Sequence, residues 1–137
     1  MRQLSFRFSN FLLVTLGVML IALGVTTMVY PDIMSRYGLS VVNVHGKSTI
    51  IAVIGGAEIG LGIFVLFGRI IGASVLIRLS LLLCIFMGLL FGRLLGVIRY
   101  YPELPDVFFR EVFAEILIAG LCALGLYFIQ RRNNHRL

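Results

Sequence analysis

Four apolar runs of about twenty residues follow one another along this chain, and each has the length that a helix needs to cross a bilayer. The runs cover residues 11–30, 49–67, 70–91 and 107–129. No proline interrupts the third run before Pro102, so two ends are compatible with the sequence: residue 91, or a helical continuation to residue 98. Helices satisfy their own backbone hydrogen bonds in lipid. The sequence therefore predicts an all-α polytopic membrane protein, a four-transmembrane-helix bundle with short loops and one domain over residues 1–137.

The composition agrees with a membrane location. Hydrophobic residues make up 60% of the chain and the mean hydropathy is +1.05, whereas soluble domains are about 45–50% apolar. The net charge of +6 comes from eleven arginines and one lysine against six acids. Because these basic residues lie mainly at the ends of apolar runs, they indicate membrane orientation rather than nucleic-acid binding. We therefore expect membrane lipids and no nucleic acid as partners.

Arginine and lysine near the span ends predict which side of the membrane each loop faces. With four spans, both termini share a side with the loop between spans two and three. That side carries Arg2, Arg7, Arg69, Arg131, Arg132 and Arg136. The other side carries Arg36, Lys47 and Arg99, with Arg110 at the border. Both termini are therefore expected in the cytoplasm.

The first run also invites comparison with a signal peptide, since Arg2 and Arg7 precede it. Its apolar part is longer than the usual ~7–15 residues, and no small-residue cleavage motif follows. We interpret it as a retained helix.

The loops carry few signals of their own. Pro31 ends the first span, and the residues from Asp32 to Tyr37 are expected to form a short helix on the membrane surface. The FGRIIG stretch at 67–72 is short enough to make spans two and three a helical hairpin. The RYYPELPDV stretch at 99–107 holds two prolines and is expected to be a rigid, non-helical cap.

Glycines recur at helical spacing inside the spans, as at interfaces between membrane helices. On span one, Gly17 and Gly24 are seven residues apart and share a face. On spans two and three, the predicted packing residues are Gly55, Gly56, Gly60, Gly62, Gly88, Gly92 and Gly96.

Five charged residues lie within these spans or at their boundaries, and they are the candidate functional residues: Glu58, Arg78, Arg93, Glu111 and Glu115. A charge at a span centre costs about 2.5–3.5 kcal/mol on insertion scales. Glu58 is therefore expected to face Arg93 and Glu115, with Arg78 approaching from the cytoplasmic side. Two interpretations stay open: an ion-pair network that holds the helices in register, or a polar pocket for a headgroup, a quinone-like ring, a proton or a small substrate.

Metal and cofactor chemistry has little basis in the sequence. The two histidines, His45 and His135, lie in a loop and in the tail, so no metal site or cofactor is expected inside the spans. Cys84 and Cys122 lie at different depths and are expected to remain unbridged.

Several short motifs resemble those of small four-helix bacterial membrane proteins of unknown function, DoxX/DoxD-like in layout. These motifs are Tyr30-Pro31, the GGAEIGLG stretch at 55–62, the Gly92-Arg93 pair and the acid Glu115. Arg78 departs from the pattern. The resemblance covers nearly the whole chain and implies the fold and a bacterial inner-membrane location. It implies no established activity, although some DoxD-like proteins are linked to quinone-coupled sulfur oxidation.

Three functions are compatible with these features. The first is an accessory or structural subunit of a membrane complex, with another protein or a second copy as partner. The second is a bundle that binds a hydrophobic small molecule, lipid or quinone, in a transport or redox-partner role. The third is a membrane isomerase with Glu58 or Glu115 as acid–base. Short loops without a soluble catalytic domain favour the first and argue against an enzyme.

Overall fold

The structure is a computed structural model. It describes the backbone of residues 2–37, 43–101 and 106–134, and the side chains of residues 7–35, 43–101 and 107–131. In these ranges the chain forms helices and no strand. The α-helices are α1 (Arg2–Val29), α2 (Val44–Thr49), α3 (Gly56–Phe67), α4 (Val75–Tyr100) and α5 (Asp106–Asn134). A π-helical segment, Ile50–Gly55, joins α2 to α3, and 3-10 helices cover Pro31–Tyr37 and Gly68–Ile71.

Within the described residues, four helical stretches are long and apolar enough to cross a membrane: Arg7–Val29, Val44–Ile71, Val75–Tyr100 and Val107–Arg131. The predicted all-α fold with four spans is therefore confirmed, and the protein is a multi-pass membrane protein. The short helix expected after Pro31 is present as the 3-10 helix. Of the stretch expected to be a non-helical cap, residues 99–100 and 106–107 belong to helices α4 and α5, because both helices extend further than predicted. Residues 102–105 lie outside the described residues.

The second span and α4 begin at other residues than predicted, and polar caps explain both differences. The second span begins at Val44 rather than at residue 49, because the Asn43 side chain accepts a hydrogen bond from the Gly46 N–H at 2.8 Å. α4 begins at Val75 rather than at residue 70. Gly72 adopts a left-handed conformation (φ 82°) that ends the preceding turn, and Ser74 then caps α4 by accepting from the Ile77 N–H at 3.2 Å.

The chain divides into two compact units: the terminal unit, residues 1–12 and 73–137, and the central unit, residues 13–72. In the terminal unit α4 packs along α5. The start of α1 lies beside the end of α5, where the Phe8 and Phe128 rings meet edge to face at 6.2 Å and the Ser9 hydroxyl donates to the Gly125 carbonyl at 3.5 Å. The two terminal helices therefore begin and end on the same side of this unit.

In the central unit, α1 and the second span approach each other through paired glycines. A Cβ built at Gly24 would lie 2.6 Å from the Gly55 carbonyl oxygen, and one built at Gly62 would lie 2.7 Å from the Gly17 carbonyl oxygen. Beyond these pairs, the Lys47 ammonium lies 2.8 Å from an Asp32 carboxylate oxygen. The same antiparallel register therefore runs through all three contacts.

Candidate intramembrane charge cluster

Arg93 lies on the side of α4 that faces α5. The i, i+3 and i+4 spacing of a helix puts it on one side with Phe86, Leu90 and Val97, of which Phe86 is buried. Gly96, next to this side, brings α4 near the Phe108 ring, which would lie 3.9 Å from a Cβ built there.

Two carboxylates of α5 meet the Arg93 guanidinium. Its Nη1 lies 2.7 Å from Glu111 Oε2, while Nε and Nη2 donate to Glu115 Oε1 at 3.3 and 3.1 Å. Glu111 and Glu115 share a face of α5 because they are four residues apart. The guanidinium also lies over the Phe108 ring, with Cζ 5.2 Å from the ring centroid. We name Arg93, Glu111 and Glu115 the α4–α5 charge cluster.

The α4–α5 charge cluster is mostly withdrawn from the surface, with side-chain exposures of 29%, 19% and 12% for Arg93, Glu111 and Glu115. Exposed ion pairs contribute about 0–1 kcal/mol, but removing one member of a buried pair costs about 3–5 kcal/mol. The cluster therefore holds α4 against α5 close to their connection.

The cluster contains more acidic than basic groups, since two carboxylates share one guanidinium. Each carboxylate also has one buried oxygen, Glu111 Oε1 and Glu115 Oε2, without a hydrogen-bond partner among the described residues. A buried polar atom left unpaired costs about 1–3 kcal/mol.

Glu58 lies in the central unit, on the first turn of α3 just after the π-helical segment. The Thr27 hydroxyl of α1 donates to Glu58 Oε2 at 3.3 Å, and Thr27 is 2% exposed. Among the described side chains of this unit, no basic group pairs with Glu58. The expected approach of Arg78 and Arg93 to Glu58 stays a prediction.

Arg78 lies in the terminal unit, like the charge cluster, but at another depth. It is buried on α4. It precedes Arg93 by fifteen residues, which is about 22 Å along a helix. The structure therefore brings Arg93, Glu111 and Glu115 together and keeps Arg78 apart from them.

The glycines behave in two ways. Gly55 and Gly62 pack closely against α1, and Gly96 lies against Phe108. Gly56 has the same ordinary contact distance, since a Cβ built there would lie 3.9 Å from Met28 of α1. In contrast, a Cβ built at Gly60, Gly88 or Gly92 meets no described atom within 4 Å. Packing at these three positions stays a prediction.

The sequence reasoning did not identify Thr27 or Phe108. A signal for Thr27 was present, because it continues the buried stripe formed by Leu13, Gly17, Leu20 and Gly24 at steps of three and four residues. A polar residue on such a stripe needs a partner, and Glu58 provides one.

No family model, curated protein or solved structure matches this chain. The resemblance to DoxX/DoxD-like proteins, drawn from its short motifs, stays a prediction.

Proposed function

We propose that this protein is a non-catalytic subunit of a membrane complex, and that the exposed side of α4 binds a transmembrane helix of another chain. The observation that carries this proposal is the exposure of α4. Only 11% of its apolar window is buried, against 39% of the window in α1.

Small residues mark the side of α4 that would bind. Cys84, Gly88 and Gly92 follow one another at four-residue steps and are exposed; we name these three residues the α4 glycine face. They lie about 100–180° around the helix from Arg93, which contacts α5. Helices in lipid associate where small residues let their backbones approach, whereas glycine facing lipid only weakens a helix, by about 1 kcal/mol relative to alanine.

The α4–α5 charge cluster fits a subunit better than an enzyme. Arg93 contacts both Glu111 and Glu115, so its charge contributes to packing within the chain rather than to a free reactive group. Because membrane subunits need rigid surfaces more than reactive ones, an internally paired cluster favours the subunit interpretation.

Cross-linking through the native thiols tests this proposal. In a Cys122→Ser variant, Cys84 is the remaining thiol of the chain, and a photoactivatable maleimide attached to it should yield one defined cross-linked protein in native membranes. The matched control carries Cys84→Ser, Cys122→Ser and Leu94→Cys, which moves the thiol to an exposed position about 120° around α4 from Gly88.

The cross-linked product should form from Cys84 and should be weak from Leu94→Cys. It should disappear when Gly88→Leu and Gly92→Leu fill the α4 glycine face. Native mass spectrometry of the untreated protein should show the same partner at fixed stoichiometry. Equal cross-linking from both positions, or a monomer by native mass spectrometry, would overturn the proposal.

A second candidate function is binding of a lipid, quinone or other hydrophobic small molecule near Glu58. The observation in its favour is a mid-span carboxylate whose described contact is the Thr27 hydroxyl. Mass spectrometry of ligands retained after purification would test it. Glu58→Gln should abolish retention without loss of thermal stability, while Asp32→Asn, at an exposed pair, should retain the ligand.

For the location, we propose the bacterial inner membrane with both termini in the cytoplasm. The arginine distribution supports the orientation, and the DoxX/DoxD-like resemblance supports the bacterial membrane. Membership of that family is part of this proposal.

A further inference from the structure

The start of α1 and the end of α5 form a basic end of the terminal unit. There the Phe8 and Phe128 rings meet at 6.2 Å, and the Ser9 hydroxyl donates to the Gly125 carbonyl at 3.5 Å. These contacts bring together two helix ends whose sequences carry four arginines: Arg2, Arg7, Arg131 and Arg132. Arginines from the two ends of the chain therefore lie at the same end of this unit.

No acid of these helix ends offsets this positive charge. Residues 1–31 and 116–137 contain neither aspartate nor glutamate, and Glu115 lies sixteen residues before Arg131, about 24 Å along α5. Because α1 begins here and α5 ends here, the opposite partial charges of the two helix ends largely cancel, and the arginines decide the sign. Arg7 and Arg131 are exposed, and neither forms an ion pair among the described residues. Their counter-charge must therefore come from outside these two helix ends.

Each of these two arginines has an exposed aromatic side chain one helical turn deeper in the membrane. Within the described side chains, Arg7 begins the first span and Arg131 ends the fourth. Phe11 follows Arg7 by four residues and is 70% exposed, while Tyr127 precedes Arg131 by four residues and is 55% exposed. Since residues four apart share a helix face, each helix presents a cation at the boundary and an aromatic ring below it. This order of groups matches a phospholipid, whose charged headgroup lies above its acyl chains.

We propose that Arg7, Phe11, Tyr127 and Arg131 form a binding surface for an anionic phospholipid, which we name the basic helix-end surface. The two guanidinium groups donate to the headgroup phosphate, with which arginine forms paired hydrogen bonds. The two aromatic rings lie beside the glycerol and the upper acyl chains. This inference depends neither on the partner proposed for α4 nor on the side of the membrane that the termini face.

Native mass spectrometry of the full chain in neutral detergent micelles tests the proposal. The protein is mixed with equal amounts of phosphatidylglycerol, which is anionic, and phosphatidylcholine, which has no net charge. The wild-type chain should retain phosphatidylglycerol in preference. Because a basic residue near an anionic headgroup contributes about fivefold to binding, Arg7→Gln and Arg131→Gln should each lower this preference by about that factor, and together they should abolish it.

Two control variants separate the surface from charge in general and from a damaged fold. Arg110→Gln removes an exposed arginine at the other end of α5, where Glu111 follows directly in the sequence, and should leave the preference unchanged. Arg7→Lys combined with Arg131→Lys keeps both charges and should retain most of the preference. Equal retention of the two lipids by the wild-type chain would overturn the proposal. An unchanged preference in the double glutamine variant, or an equal loss in Arg110→Gln, would also overturn it.

Two further measurements distinguish a lipid from a free phosphate group. An excess of glycerol phosphate, the soluble part of the headgroup, should not displace phosphatidylglycerol, because it has no acyl chains to contact Phe11 and Tyr127. Phe11→Ala combined with Tyr127→Ala should weaken retention of both lipids while the preference for the anionic one persists. Full displacement by glycerol phosphate, or unchanged lipid retention in the alanine variant, would contradict the assignment of a lipid.

Discussion

Gly24 of α1 and Gly55 of the second span lie in direct backbone contact, since a Cβ built on Gly24 would lie 2.6 Å from the Gly55 carbonyl oxygen and 2.9 Å from the Ile59 backbone nitrogen. Real side chains do not approach a backbone oxygen this closely. The contact recurs seven residues away on both helices, at Gly17 and Gly62. These positions therefore fix how near α1 and α3 lie and where Thr27 meets Glu58.

The first prediction is that Gly24→Ala destabilises the protein, whereas Gly60→Ala does not. An added methyl at Gly24 meets backbone that cannot yield without moving the helix, and overpacking of this kind costs about 1–3 kcal/mol. A Cβ at Gly60 meets no described atom within 4 Å, and alanine is the better helix former. Unfolding in mixed detergent micelles measures both variants, and equal losses of stability would contradict the assigned contact.

The sequence predicted part of this interface. The seven-residue spacing of Gly17 and Gly24, and the position of Gly55 and Gly62 beside Glu58, were readable as small faces because lipid leaves close packing as the main reason for such stripes. The sequence did not show which glycines pack within the chain, since Gly88 and Gly92 also recur at a helical spacing. That distinction depends on where each helix begins, which Asn43 and Gly72 decide through local hydrogen bonding and backbone conformation.

The candidate site was likewise predictable only in part. Charged residues inside apolar runs are visible in any sequence, and the helical spacing of Glu111 and Glu115 puts them on one face. The sequence also placed Arg93 beside Glu115, but it did not exclude Arg78 from the cluster, because a helix pair with a different register would bring Arg78 rather than Arg93 to α5. Thr27 was missed because a threonine in a span is as easily bonded to its own helix, as Thr26 is to the Ala22 carbonyl at 2.8 Å.

The second prediction concerns Arg93. Arg93→Leu leaves two carboxylates without their cation, and we expect a loss of about 3–5 kcal/mol in the free energy of unfolding. The matched control is Arg99→Leu on the same helix, which removes an exposed arginine and should change stability by less than about 0.5 kcal/mol. Combining Arg93→Leu with Glu115→Leu should cost less than the sum of the single changes. Strict additivity would show that the two residues are not coupled.

The third prediction is that the Thr27 hydroxyl contributes to stability through Glu58. Thr27→Val keeps the shape of the side chain and removes the donor, which should lower the free energy of unfolding by about 1 kcal/mol. Thr26→Val, on the adjacent exposed residue, should have a smaller effect because its hydroxyl bonds only within its own helix. In a Glu58→Leu background the Thr27→Val effect should largely disappear. The same effect with and without Glu58 would remove the basis for this hydrogen bond.

The last prediction is that both termini face the cytoplasm. Within the terminal unit the start of α1 lies beside the end of α5, where Phe8 contacts Phe128 and Ser9 contacts Gly125. Both termini must therefore lie on the same side of the membrane. The choice of side rests on the sequence. Arginines at positions 2, 7, 69, 131, 132 and 136 outnumber the basic residues of the other side, and short basic loops are retained in the cytoplasm.

Reporter fusions test the two parts of this last prediction separately. Alkaline phosphatase is active in the periplasm, so a fusion after Leu137 should be inactive and a fusion truncated after Tyr101 should be active. A fluorescent protein that matures only in the cytoplasm should give the opposite pattern at the same two positions. Equal phosphatase activity at both positions would contradict the four-span arrangement. Activity after Leu137 alone would keep the spans and reverse the orientation, which would mean that Arg36, Lys47, Arg99 and Arg110 outweigh the terminal arginines.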